Sequence, residues 1–311
     1  MKKQMIIHPE ELSKKWIDKM TDAKVEVLGI HPRGGRHAVE ALKELLSLLK
    51  KEEYKELLDY ACSKGLEIEY EIHSAGYLMP RELFEECPQF FRMDEKGQRT
   101  NDWNFCVSNP EALALFSKRA AKLASELYKS SHNFYFWMDD GKDFGCHCPK
   151  CKGLSFSDQQ LIAVNAMLDG IREIYPDARM AYLAYYDSLT PPEKVKARDG
   201  VFLEYAPMEK YIAKGEDRDE RIEKEKNMLL PLMELFSSQP AKVLEYWYDN
   251  SLYSNWKKPP KKLLIDEETM LREANEYKKT GFSLISTFAC FLGEDYTELY
   301  GEADISAFGK I

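Results

Sequence analysis

The chain has 311 residues, 44% hydrophobic and 31% charged, a balance that can bury a sizeable core. Its net charge of −9 argues against nucleic acid or an anionic membrane as partner, because both recruit a basic face. No run approaches the ~20 apolar residues of a membrane span, and the polar start MKKQMIIHPEELSKKW lacks the apolar stretch of a secretion signal, so a cytoplasmic location is expected.

Strand-like and helix-like runs alternate from the start. QMIIH (Gln4–His8) precedes a helix expected near Pro9, a residue suited to a first turn. KVEVLGIH (Lys24–His31) precedes a helical stretch with Val39, Leu42, Leu45, Leu46 and Leu49 on one face. A second helical run carries Tyr54, Leu57, Leu58 and Ala61, and Gly65 stops it. LEIEYEIH (Leu66–His73) leads into a long loop and then a helix over Pro110–Lys129. NFYFWMDD (Asn133–Asp140) follows, and Ser157 and Gln160 have the spacing of a capping box for the next helix. RMAYLAYYD (Arg179–Asp187), VFLEYAP (Val201–Pro207), KVLEYWYD (Lys242–Asp249) and FSLISTFAC (Phe282–Cys290) complete the strands. Helices over Glu220–Phe236 and Asp266–Lys279 separate the later ones, while the link from Asp187 to Val201 looks irregular.

Eight strands in this alternation predict an α/β fold, a (β/α)8 TIM barrel, with a long loop after the third strand. A doubly wound sheet is the alternative, but HPRGGRH lacks the G-x-G-x-x-G spacing of its phosphate turn. No linker or repeat divides residues 1–311, so one domain is expected.

Barrel enzymes place their chemistry at the C-terminal ends of the strands. Those ends carry His31, Arg33, His73, Asp139, Asp140, Tyr185, Glu204, Trp247, Tyr248 and Asp249. Carboxylates supply acid–base chemistry and bind hydroxyls, and aromatic rings offer flat apolar faces with a polar handle. Sugars need that combination, so the expected partner is a carbohydrate. Two local alternatives stand: His73 as a core histidine, and Glu204 as half of an ion pair inside the barrel. Tyr185 and Tyr186 face opposite ways on a regular strand, so at most one reaches the site.

The loop HSAGYLMPRELFEECPQFFRMDEKGQRTNDWNFCVSNPEAL resembles a segment of a bacterial glycosidase-like family, a domain of unknown function with a C-x-C-x-x-C loop. CHCPKC after the aspartate pair, YDSLTPPEKV and YDNSLYSNWKKPPKKL extend that resemblance from His31 to Leu292. The family is similar to hexosaminidase- and α-glucuronidase-type barrels. In hexosaminidases an Asp-Glu pair at the end of the fourth strand does the work. The resemblance implies Asp139 as the residue orienting the substrate and Asp140 as general acid/base, with Trp247 and Tyr248 packed around the sugar. It also implies an amino sugar or a uronate as substrate. This chain has Asp where those enzymes have Glu, which leaves a non-catalytic carbohydrate-binding barrel as the alternative. A metal-dependent isomerase or deacetylase using His31, His73 and Asp139 is a third reading.

The seven cysteines do not form a disulfide scaffold by number or spacing. Cys146, Cys148 and Cys151 are clustered, and C-x-x-C is a common half-site for zinc. Cys106 is a candidate fourth ligand, with His147 as the nearer competitor. A closed site would be structural zinc, while an oxidising compartment would allow two disulfides instead. No organic cofactor is expected.

Overall fold

The computed structural model describes residues 1–311. Its eight parallel strands close into a barrel in chain order. They are β1 (Lys2–Ile7), β2 (Val27–Ile30), β3 (Glu67–His73), β4 (Asn133–Trp137), β5 (Arg179–Ala184), β6 (Val201–Tyr205), β7 (Lys242–Glu245) and β8 (Leu284–Phe288). Closure pairs β1 with β8, with Ile6 opposite Phe288. All eight expected strands are present, and all but β3, which runs to His73, end before their apolar runs do. The residues beyond the last ladder bonds are free to turn into loops, and these carry the site.

Helix starts follow local capping chemistry. Asn109 caps Pro110–Glu126 by accepting from the amides of Glu111 and Ala112. The expected helix at Pro9 is a single 3-10 turn over Pro9–Glu11. The true helix is Lys14–Asp22, whose first turn is capped by Ser13. The expected box at Ser157 and Gln160 is also displaced. Ser155 is the cap of Phe156–Arg172, and Asp158 answers it, because both side chains reach the amides there. The link from β5 to β6 has only a short 3-10 turn, Tyr186–Ser188, as its irregular sequence suggests.

Side-chain alternation splits the interior into two layers. Outward-facing strand residues and the helices bury one large cluster around the barrel. Inside, Ile6, Tyr135, Trp137, Leu183, Phe202, Leu244 and Phe288 fill the lumen. Gly29 belongs to this layer, since a Cβ there would come within 2.6 Å of Ile6.

Below the apolar lumen layer lies a charged one. Lys242 Nζ sits 2.6 Å from Glu71 and 2.9 Å from Glu204, and 4.0 Å from the centroid of the Tyr135 ring. Gln4 donates to Glu71 at 2.8 Å and to Glu69 at 3.1 Å. Burial raises the Glu71 carboxyl to about 8, against the pull of Lys242. Such a cluster is costly to break, because removing one charge strands the others in a dry interior.

Candidate active-site cleft

The strand ends surround a cleft of about 530 Å³. Its floor is Trp137, the last residue of β4, whose indole N–H donates to Glu204 at 2.7 Å. Leu183, Leu244 and Phe288 rise beside it, and Tyr185 and Tyr246 form walls. His8, His31 and His73 line the side built by β1, β2 and β3. The His31 ring packs 5.5 Å from Trp137 and 5.9 Å from both His8 and His73. Gly34 lies against this row, and a Cβ there would stand 2.6 Å from His73 Cδ2 and 3.6 Å from Asp140 Oδ2.

Two carboxylates open into the cleft. Asp140, from the loop after β4, accepts from the Tyr185 hydroxyl at 3.3 Å. Asp249, from the loop after β7, caps the helical turn Asn250–Tyr253. Its Oδ1 takes the Ser251 amide at 3.1 Å, the Ser251 hydroxyl at 2.5 Å and the Leu252 amide at 3.3 Å. Oδ2 has no protein donor. Burial pushes this carboxyl up to about 6, although the bonds from Ser251 and Leu252 pull the other way.

Of the residues the sequence nominates, His31, Arg33, His73, Asp140, Tyr185 and Asp249 meet in this cleft. Four do not. Asp139 turns away to take Arg81 at 2.5 Å and the Asn104 amide, while its own amide donates to Asn104 Oδ1 at 3.0 Å. Its carboxylate therefore cannot join His31 and His73 around a metal. Glu204 lies in the lumen beneath the Trp137 floor, held by Lys242. Trp247 points outward and donates to Glu273 on the helix Glu267–Thr280 at 2.8 Å. Tyr248 is fully buried outside the barrel, edge-on to Phe308. Past Glu245 the alternation continues, sending Tyr246 inward and Trp247 outward.

Sequence reasoning missed His8, Tyr246 and Trp256. His8 follows β1 as His31 follows β2, so the rule that nominated His31 applies to it. Tyr246 is legible from its even spacing to Leu244. Trp256 has no local signal. It and Asn255 both adopt positive φ, 54° and 52°, a conformation rare without glycine.

A second feature flanks the cleft. Cys106, Cys146, Cys148 and Cys151 are buried, with all four Sγ atoms within 4.8 Å of one another. Cys106 Sγ lies 3.6 Å from Cys148 and 3.9 Å from Cys151, too long for disulfides. Sulfurs bound at ~2.3 Å around a tetrahedral ion would be roughly 3.8 Å apart, so the set fits a metal. The Met93 amide donates to Cys146 at 3.3 Å and Arg99 at 3.7 Å, the donors a thiolate cluster needs. Hydrogen bonding, first to Cys146 and then to Cys151, holds the Cys106 thiol far below its ordinary range. His147 is exposed and outside the set, so Cys106 is the fourth member.

The sequence matches the family described as Domain of unknown function (DUF4838) over residues 48–239. The chain belongs to that family. The matched segment holds β3 to β6, and closure of the barrel draws on strands outside it. No curated protein matches this sequence.

Solved glycoside hydrolases share the fold. One is PbGH5A, a glycoside hydrolase family 5 enzyme from Prevotella bryantii B14 determined with a xyloglucan tetradecasaccharide. It has a TM-score of 0.54 and 11% identity, over 96% of this chain and 85% of that one. The β-galactosidase from the psychrophilic Marinomonas ef1 has a TM-score of 0.54 and 14% identity, over 92% of this chain and 54% of that one. Endo-glycoceramidase II from Rhodococcus sp., in a cellobiose-like imidazole complex, has a TM-score of 0.54 and 8% identity, over 93% and 72%. At these identities the likeness is one of fold. The DUF4838 chain is a (β/α)8 barrel with the fold of these enzymes.

Proposed function

We propose that this protein is a glycoside hydrolase whose working carboxylates are Asp140 and Asp249. The observation that carries this is their meeting, from β4 and β7, in one aromatic-walled cleft. Glycosidases need two carboxyl groups in different states, one holding a proton for the leaving oxygen and one charged. Asp249 suits the first role. Burial keeps it partly protonated near neutral pH, and its Oδ2 is free. Asp140, steadied by Tyr185, suits the second. Trp137, Tyr185 and Tyr246 would pack on the sugar faces.

A panel of nitrophenyl glycosides tests the reading. With a turned-over substrate in hand, Asp140→Asn should lower kcat by roughly 10²–10⁴ for good and poor leaving groups alike. Asp249→Asn should hurt poor leaving groups most, since activated ones need little protonation. Wild-type turnover of a natural linkage by either variant would remove that residue from the mechanism.

One observation favours a carbohydrate-binding barrel without turnover: three donors already hold Asp249 Oδ1 in a structural cap. Thermal stabilisation by sugars with no hydrolysis across the panel would select that reading. The four cysteines are proposed to hold structural zinc. They would pin the loop before Pro110–Glu126 to the loop after β4, and the ion would take no part in the reaction.

A further inference from the structure

Hydrogen-bond acceptors outnumber free donors on the inner surface of the cleft. Each rim histidine is anchored to a backbone carbonyl of a neighbouring strand or rim segment. His8 Nδ1 lies 2.8 Å from His31 O, His31 Nδ1 2.8 Å from Glu71 O, and His73 Nδ1 2.9 Å from Met138 O. A carbonyl can only accept, so each ring places a proton on Nδ1, and in the neutral form it keeps a lone pair on Nε2. No protein group donates to these three Nε2 atoms. Burial lowers the pKa of His8 and lowers that of His31 further, which keeps both neutral.

The free oxygens of Asp140 and Asp249 add two more acceptors. Three donors at the floor and walls are already committed: the Trp137 N–H to Glu204, the Tyr185 hydroxyl to Asp140 and the Ser251 hydroxyl to Asp249, which leaves the Tyr246 hydroxyl and the Trp256 indole at the mouth. Arg33 is the one arginine lining the cleft, no lysine lines it, and Arg33 is paired with Glu10 at 2.9 Å.

We propose that the cleft selects sugars bearing only hydroxyls or a free amine, and rejects uronates and sulfated sugars; this rests on the carbohydrate reading above. A hydroxyl donates one hydrogen bond and an ammonium three, matching the row of acceptors. An ammonium also gains from the faces of Trp137 and Tyr246. A carboxylate or sulfate brings only acceptors, and sets its charge against two aspartates with Arg33, already paired with Glu10, as the one lysine or arginine in the lining. The amino-sugar branch of the family resemblance therefore survives on this cleft, and the uronate branch does not.

The test is saturation-transfer and titration NMR with the methyl glycosides of glucose, glucosamine and glucuronic acid, and the matching galacto set. The glucuronide should bind at least about tenfold more weakly than the glucoside, the size of a like-charge repulsion across a partly screened cleft. The glucosaminide should bind as well as the glucoside or better. Where one series alone binds, the ratio is read within it. Asp140→Asn, checked for folding by its melting curve, should narrow the gap several-fold. A uronide bound as tightly as its neutral partner overturns the selectivity and leaves the carbohydrate reading standing. An unchanged gap in folded Asp140→Asn also overturns it. Binding by no glycoside of either series removes both.

Discussion

Trp137 donates its indole N–H to Glu204 at 2.7 Å, tying the floor of the cleft to the charged layer beneath it. Glu204 is fully buried and also faces Lys242, so this donor helps keep a charged group in a dry lumen. Trp137→Phe keeps the ring but strands a buried acceptor, at a cost of about 1–3 kcal/mol. The melting temperature should fall by a few degrees. An unchanged melting curve would mean the bond stabilises nothing.

Asp249 gives stability a definite pH dependence. Its folded pKa, about 6, stands above its ordinary 3.8, so folding favours the protonated form. Its contribution is fully present below the lower value and is lost as pH rises through the upper one. Asp249→Asn keeps a good cap but does not titrate. The variant should gain on the parent by up to about 3 kcal/mol between roughly pH 4 and pH 7. Glu11 and Glu225, both raised to about 7 by burial, titrate in both proteins and cancel in the difference. Denaturant midpoints that differ equally at the two pH values would refute the assignment.

Asp139 is a clamp, and its loss should register in stability. Asp139→Ala leaves Arg81 without its carboxylate and frees the Asn104 amide. A destabilisation of roughly 3 kcal/mol is expected from breaking this largely buried pair. Asp140→Asn should change the melting temperature little, since Asp140 takes one long bond from Tyr185. Equal melting curves for both variants would deny Asp139 the clamping role.

Protein prepared without chelators should carry about one zinc per chain by elemental analysis. Cys106→Ser should lose most of it and lower the melting temperature, because Cys106 is the one thiol of the four that the earlier loop supplies. Metal-free protein with four alkylatable thiols and an unchanged melting curve would rule zinc out.

Trp256 is 63% exposed at the mouth of the cleft, so its indole stabilises little in the folded chain. Trp256→Ala should leave the melting temperature unchanged and weaken binding of longer oligosaccharides about tenfold, the worth of one lost stacking face. Equal loss for mono- and oligosaccharides would place the indole elsewhere.

The barrel was legible in the sequence because its signals are local. Apolar runs such as QMIIH and FSLISTFAC, separated by helical stripes, need no distant partner to be recognised as strands. The crowding of Cys146, Cys148 and Cys151 and the chemistry of the rim are local in the same way. Tertiary structure alone decided which rim side chains share the cleft. Once β4 ends at Trp137, the loop path sends Asp139 to Arg81 and Asp140 to Tyr185, and neighbours in sequence come to face different partners. Beyond β7, one step of alternation separates Tyr246 inside from Trp247 against Glu273. Glu204 finds Lys242 through the register of β6 on β7, Lys242 reaches Glu71 only across the closed barrel, and Trp256 reaches the cleft through two strained residues with no sequence signature. These outcomes depend on closure, register and loop path, which join residues far apart in the chain, whereas the strand and helix patterns are set by neighbours a few residues apart.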